Sequence, residues 1–332
     1  MILIFTNKED VHPNPVIEKL HEWDVPIFRL NTEALLTDYQ FCWWADANGC
    51  DFHMRCNQNG LEVWGSKITS IWDRRPLVPS ELPLKNNDQI NKHNLIEACG
   101  FLSFIRYYLK DIPSIGNIVN DRVASSKMLQ YKIAKEVGFV IPETCFSNHK
   151  TFFTTLAKKH NSLLLKPIEN SDVWDDESDL DYVFYAQKVP SDNVLEVPDE
   201  AFSQTVTFAQ NYVEKDFELR VTIVDNNVFS CKIDSQLQGD NQGKIDWRQG
   251  YEYGLKHSIF DLPEEISEKC KMFLHKIGLR FGCFDFIVNK KGEYVFLECN
   301  PNGQWLWVEL ETGMKISNAI AEALTNKHFQ TL

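Results

Sequence analysis

The chain has 332 residues, of which 43% are apolar and 24% charged, and a formal net charge of −13. That length and composition supply core enough for two or three folded modules and argue against disorder. The acidic balance argues against a general nucleic-acid binder, which needs a basic face to neutralise phosphates, but a few local Lys and Arg residues would suffice for a nucleotide.

Nine cysteines form no CxxC pair, and Cys42, Cys50 and Cys56 lack a partner at zinc-like spacing. They read as reduced residues used as small hydrophobes. "MILIFTNKED" has too short an apolar run and no basic region for a signal peptide. No stretch of about 18 apolar residues would span a bilayer. A cytoplasmic enzyme or binding protein is expected.

In chain order, Ile2 to Phe5 predicts a strand, Val16 to Trp23 a helix and Ile27 to Leu30 a second strand, the start of an α/β module. Alternating aromatic pieces fill Phe41 to Trp72, and a helix runs from about Asp88 to Leu109. Ala124, Met128, Tyr131 and Ala134 keep helical spacing, Gly138 stops that helix, and Val140-Ile141 is expected to open a strand. A helix near Thr151 to Lys159 precedes the strand "LLLKP". "DYVFYAQKV", "TVTFAQNYV", "ELRVTIV" and "VFSCKID" read as strands. Pro263 to Ile277 reads as a helix, "CFDFIVNKKGEYVFLECN" as a hairpin, and Ile316 to Leu324 as a closing helix.

The hairpin carries the first chemical signal. Asn289 to Gly292 is a turn between two apolar runs. A symmetric four-residue turn would set Asp285 opposite Phe296 and diagonal to Glu298. Glu298 and Asn300, two apart, share a face, so the three side chains converge at one end of the hairpin. Two carboxylates and an amide oxygen are hard ligands suited to Mg²⁺, which completes its shell with water and substrate phosphates. On the hairpin alone, a polar strand end facing water is the equal alternative.

Cations that would meet a triphosphate are scattered. Lys127 lies in a helix and Lys166 closes an apolar strand, where desolvation is costly unless the lysine meets an anion or snorkels to water. Arg220 sits in a strand built for burial, and Arg248 lies in the polar "DWRQG". Either arginine would fork onto phosphate oxygens, or form a salt bridge with Glu218 or Asp246. There is neither a Walker A sequence nor GxGxxG.

Taken in order, these pieces resemble the ATP-grasp ligases. The resemblance rests on Lys127 before "AKEVGFVIPET", Lys166 in "LLLKP", the hinge-like "FAQNYVEK", Arg220 in "ELR", Asp285 in "FDF", and Glu298 and Asn300 in "LECNPNG". The ending "FLECNPNGQWLWVELETGMKISNAIAEAL" looks like the graspetide synthetases, the microviridin-type maturases of ribosomal peptides that include those of grasp-with-spasm clusters. "DSQ", "DWR" and "IWDRRP" are similar to that family too.

The resemblance implies an α/β chain of the α+β ATP-grasp kind. A pre-ATP-grasp domain would span 1–115, a central domain 116–205, with possible leader-peptide docking, and a C-terminal domain 206–332. It implies Lys127 and Lys166 on ATP phosphates, and Gln210, Asn211, Tyr212 and Val213 along the adenine hinge. Glu218 would lie near the ribose, Arg220 and Arg248 at the γ-phosphate or acyl phosphate, and Asp285, Glu298 and Asn300 on Mg²⁺. One departure is clear: "KPIENSDVWDDESDLDYVFY" has no glycine, where many ATP-grasp enzymes carry a Gly-rich phosphate loop. The acidic run is expected to be a solvated loop, with docking of a cationic peptide segment as the second reading.

The implied reaction phosphorylates an Asp or Glu side chain of a precursor peptide. A Ser or Thr hydroxyl of the same peptide captures the acyl phosphate as an ω-ester; a Lys amine giving an ω-amide is the alternative. An intermolecular carboxylate–amine ligase, glutathione-synthetase-like or glutamate-tailing, and a non-catalytic nucleotide-responsive binding module are the competing readings. The expected partners are the precursor, with leader and core, and a second copy in a homodimer; neither nucleic acid nor membrane is expected.

Overall fold

A computed structural model describes residues 1–84, 86–169, 172–175, 180–237, 244–247 and 255–325. The N-terminal region holds β1 (Ile2–Thr6), β2 (Ile27–Asn31), β3 (Tyr39–Asp46), β4 (Gly49–Cys56), β5 (Glu62–Trp64), β6 (Ser70–Asp73) and β7 (Ser114–Ile115). β2-β1-β6-β7 form a parallel sheet, and β3-β4-β5 an antiparallel one. Both faces of β1 are covered: Ile2 and Ile4 enter one core, Leu3 and Phe5 the other. This explains why the strand reads as an unbroken apolar run.

The helix Pro13–Glu22 starts on a proline and buries Val16 and Leu20, four apart, on the first of those faces. The helix Asp88–Tyr108, capped by Asn87 accepting from the Ile90 amide, buries Ala98, Leu102 and Ile105 on the other.

The central sheet has the order β12-β9-β13-β8 and is antiparallel throughout. Its strands are β8 (Thr144–Ser147), β9 (Ser162–Lys166), β12 (Gln187–Pro190) and β13 (Thr207–Asn211). A separate hairpin pairs β10 (Asp172–Asp175) with β11 (Leu180–Val183). Two expectations are corrected here. Part of the acidic run is thus a strand pair rather than a loop. Val140 makes only an isolated bridge to Val295, and the strand opens at Thr144, after Pro142, which has no amide to donate.

The C-terminal sheet has the order β16-β15-β14-β17-β18 and is also antiparallel. It comprises β14 (Phe217–Val224), β15 (Asn227–Ile233), β16 (His257–Ile259), β17 (Phe281–Val288) and β18 (Tyr294–Asn300). One face, with Leu219, Val221, Ile223, Phe284, Phe286 and Phe296, packs on the helices Lys127–Glu136 and Glu264–Ile277. The opposite face changes along its length. At one end Val224, Phe281 and Cys283 lie under the helix Ile316–Thr325, which also packs on Ile2, Ile4, Val16 and Leu20 of the N-terminal sheet. Beyond that cover the face turns polar. No helix among the described residues is long and apolar enough to cross a membrane.

Candidate active site

The polar face is a cross-strand row. Arg220 of β14 pairs in register with Asp285 of β17, which pairs with Glu298 of β18. Arg220 Nη1 donates to Asp285 Oδ2 at 3.0 Å, and Lys127 Nζ donates to Glu298 Oε2 at 2.8 Å. Asn300 Nδ2 donates to Asp285 Oδ2 at 3.1 Å and reaches Glu298 Oε1 at 3.4 Å. Two carboxylates therefore share one amide, each with a cation on its flank.

The expected diagonal pairing is corrected by two shifts. The turn spans five residues, with Val288 opposite Tyr294, because Asn289 Oδ1 accepts from the Lys291 and Glu293 amides. A bulge then inserts Leu297, so that Phe286 faces Phe296 but Asp285 faces Glu298. Each one-residue shift alone would turn the carboxylates to opposite faces. Together they restore the face and bring Asp285 and Glu298 directly opposite.

β18 is an edge strand, and side chains satisfy its outer backbone groups. Gln130 Nε2 donates to the Cys299 carbonyl at 2.8 Å, and the Cys299 amide donates to Gln130 Oε1 at 2.8 Å. Tyr131 Oη donates to the Leu297 carbonyl at 3.0 Å, and the Phe296 amide donates to the Val140 carbonyl. Lys127, Gln130 and Tyr131 lie three and four apart on one helix, so a single helical face aligns the strand that carries Glu298 and Asn300. Burial, then the Glu298 charge, push the Tyr131 phenol far above its ordinary value.

From the other side, Arg74 Nη1 donates to the carbonyls of Asn302 and Gly303, while Asn302 Nδ2 donates to Asp121 Oδ2 at 2.7 Å. Gly303 backs so closely on the sheet that a Cβ there would lie 2.4 Å from Cys283 Cβ and 3.2 Å from Asn300 Cβ.

No protein-family model and no curated protein sequence matches the chain. Solved structures do. A RiPP-associated ATP-grasp ligase from Chryseobacterium gregarium, in complex with ADP and a leader and core peptide, is 25% identical. The match covers 99% of this chain and 98% of that one, with a TM-score of 0.89. Over nearly its whole length this chain is similar to RiPP-associated ATP-grasp ligases. The macrocyclase MdnC of Microcystis aeruginosa, bound with precursor peptide MdnA, shares the fold at a TM-score of 0.82, with 24% identity over 98% of this chain and 99% of that one. The D-cycloserine synthetase DcsG is a more distant fold neighbour, at a TM-score of 0.56 and 12% identity.

In this chain the sequence-derived residues fall into three groups. Lys127, Arg220, Asp285, Glu298 and Asn300 meet in the row. Lys166 and the hinge residues belong to the central sheet, where Lys166 pairs in register with Phe208. Buried Gln210 donates to Tyr131 Oη at 2.8 Å and Thr144 Oγ1 at 3.0 Å, which ties the hinge to the helix carrying Lys127. Asn211 exchanges hydrogen bonds with the Glu143 backbone, the Tyr212 amide donates to the Ser162 carbonyl, and Val213 follows half-buried. Glu218 is a third case: it accepts from Lys215 Nζ at 2.6 Å and Ser235 Oγ at 2.9 Å in a buried cluster. Arg220 thus pairs with Asp285 across the sheet. Arg248 lies outside the described residues.

Gln130, Arg74 and Lys215 are absent from the sequence-derived set. Gln130 carried a signal, its i+3 spacing from Lys127. Lys215 carried one too, its i+3 spacing from Glu218, and Arg74 stands in "IWDRRP", but the partners of Arg74, Asn302 and Gly303, lie 228 and 229 residues away.

The chemistry of the donor set fits a hard divalent cation. Asp285, Glu298 and Asn300 offer oxygens around one point once the Asn300 amide presents its oxygen, and O and N of an amide are exchanged by rotation. Among the described residues no group of three or more His, Cys, Asp or Glu is arranged for a metal. Two carboxylates and an amide leave the remaining positions to water and phosphate, as Mg²⁺ prefers.

Proposed function

We propose that this ligase closes rings in a ribosomal precursor peptide at the expense of ATP. The observation that carries this reading is the Arg220–Asp285–Glu298 row with Asn300, in a chain matched over 99% of its length by an ATP-grasp ligase that holds ADP with a leader and core peptide.

In the first step an Asp or Glu side-chain oxygen of the peptide attacks the γ-phosphorus of ATP. A carboxyl–phosphorus bond forms, the bond to the β-phosphate oxygen breaks, and ADP leaves. In the second step a Ser or Thr hydroxyl oxygen attacks the acyl carbon, phosphate departs, and the hydroxyl proton is released. The net change is an ω-ester with loss of one water from the peptide, and ATP becomes ADP and phosphate. A Lys amine would give the ω-amide by the same steps.

Two anions must meet in the first step, and the chain's own cations offset their repulsion. Lys127 and Arg220 flank the row, and Lys166 and Arg248 are assigned to the phosphates. Asp285, Glu298 and Asn300 would hold Mg²⁺, which when bound offsets charge on the β- and γ-phosphates. Gln210 to Val213 and Glu218 would receive the adenosine. Ring closure takes place in the cytoplasm, in a homodimer, with the leader docked on the central sheet.

The test is precursor-dependent ADP release, using the precursor encoded beside this gene. Wild type releases ADP only with ATP, Mg²⁺ and that peptide, and Glu298→Gln lowers the rate on the order of 100-fold or more. ADP release that ignores the peptide, or survives Glu298→Gln, would overturn the assignment.

A further inference from the structure

The parallel sheet has a topological switch point that the proposed chemistry does not use. Its order, β2-β1-β6-β7, reverses direction between β1 and β6. The β1–β2 crossover helix Pro13–Glu22 lies on one face and the β6–β7 helix Asp88–Tyr108 on the other. Ligands of open parallel sheets bind at the carboxyl ends of strands at such a switch point.

Four cations line this mouth, and three are committed. Lys8 pairs with Glu81 at 2.8 Å and with Asp38 at 3.3 Å. Arg29 bonds to Asn31, Asn14 and the carbonyls of Asn7 and Asp10. Arg74 pairs with Asp10 at 3.3 Å and grips the loop after Asn300. Arg75 is exposed and, among the described residues, donates no hydrogen bond and forms no ion pair.

Its backbone is nevertheless held in an unfavourable place. Arg75 has φ +50° and precedes Pro76, and each of these is disfavoured for a residue bearing a Cβ. Buried Asn7, the residue after β1, fixes it by donating from Nδ2 to the Arg75 carbonyl at 2.8 Å. Strain in a residue whose side chain makes no hydrogen bond or ion pair among the described residues marks a side chain aimed for use. The Arg75 charge also reaches the seam with the active site. Burial, then Arg74 and Arg75, push His12 down to about 3, and His12 accepts the amide of Leu306, which opens the helix after the loop that Arg74 holds.

We propose that Arg75 is a specificity-determining residue that receives a carboxylate of the precursor peptide at the mouth of the N-terminal sheet. The inference rests on the peptide-cyclising reading and names a contact for its substrate. A guanidinium would fork onto a phosphate equally well, so nucleotide affinity is the second arm of the test.

The experiment measures the affinity of fluorescently labelled precursor for the full chain in the presence of ADP and Mg²⁺, which needs no turnover. Arg75→Gln and Arg75→Gly each weaken peptide binding by about tenfold or more, while the affinity for ADP stays within about twofold. The glycine variant relieves the backbone, so an equal loss in both assigns the effect to the guanidinium. Neutralising the precursor's acidic residues one at a time finds a position whose loss costs wild type the same factor and costs Arg75→Gln nothing more. Unchanged peptide affinity in either variant, a loss confined to ADP, or full additivity at every acidic position would overturn the inference. Peptide that binds wild type without being cyclised would instead strike the reaction proposed above and leave the Arg75 result to be read by itself.

Discussion

Asp285 faces Glu298 only because a long turn and a bulge cancel each other, and Asn300 completes the set only because Gly303 lets the chain fold back tightly. A methyl group on Gly303 would meet Cβ and Sγ of Cys283 at 2.4 and 2.7 Å, and neither belongs to a flexible side chain end. Gly303→Ala therefore costs about 1–3 kcal/mol of stability in chemical denaturation. The displacement falls on the backbone beside Asn300, so the Mg²⁺ concentration for half-maximal ADP release rises as well. A variant as stable as wild type with the same Mg²⁺ requirement would show that this close approach has no bearing on the site. The gathering of two carboxylates and an amide was legible from Asp285, Glu298 and Asn300 standing near a turn. The opposition of the two carboxylates was not, since no residue type encodes a bulge. Its one trace is that the core residues Phe296 and Cys299 are three apart where a regular strand would place them two or four apart.

At the scale of elements, β18 is held from outside by the helix Lys127–Glu136. Gln130→Leu keeps the side-chain volume but removes three hydrogen bonds, to Ala124, to the Cys299 carbonyl and from its amide. The unmet Cys299 groups are buried, so the loss is on the order of 2–4 kcal/mol by urea unfolding, and ring closure slows because Glu298 shifts with its strand. An unchanged unfolding midpoint would contradict the alignment described here. Most elements were legible: the opening strand, the long helix from Asp88 and the Glu264–Ile277 helix follow from apolar spacing and their caps. Val140 was misplaced because an apolar pair before a proline looks like a strand, whereas its carbonyl serves a single bond to the Phe296 amide.

Across the whole molecule, the N-terminal sheet is joined to the active-site loop by Arg74, Asp121 and His12, a seam no local pattern reveals because its partners are some 180 to nearly 300 residues apart. The seam is sensitive to pH. Burial, reinforced by the charge of Asp73, raises Asp121 from 3.8 to about 7, against opposing bonds from the Asn117 backbone and Asn302 and the charge of Arg106. A carboxyl raised on folding lends stability that is complete below pH 3.8 and is lost as pH rises through 7. His12 works oppositely: lowered from 6.5 to about 3, it lends stability that is complete above pH 6.5 and is lost as pH falls toward 3. Asp121→Asn, which still accepts from Asn302, should raise Tm at pH 8 and change it little at pH 4. An equal shift at both pH values would show that ionisation of Asp121 is not what weakens the seam.

If the row on β14, β17 and β18 drives condensation within one peptide, the precursor itself must lose mass. Intact mass spectrometry of the precursor, incubated with the full chain, ATP and Mg²⁺, tests it most directly. Wild type should remove one water per ring, each matched by one ADP, and Glu298→Gln none. A precursor of unchanged mass, or one that gains the mass of a second molecule, would contradict it.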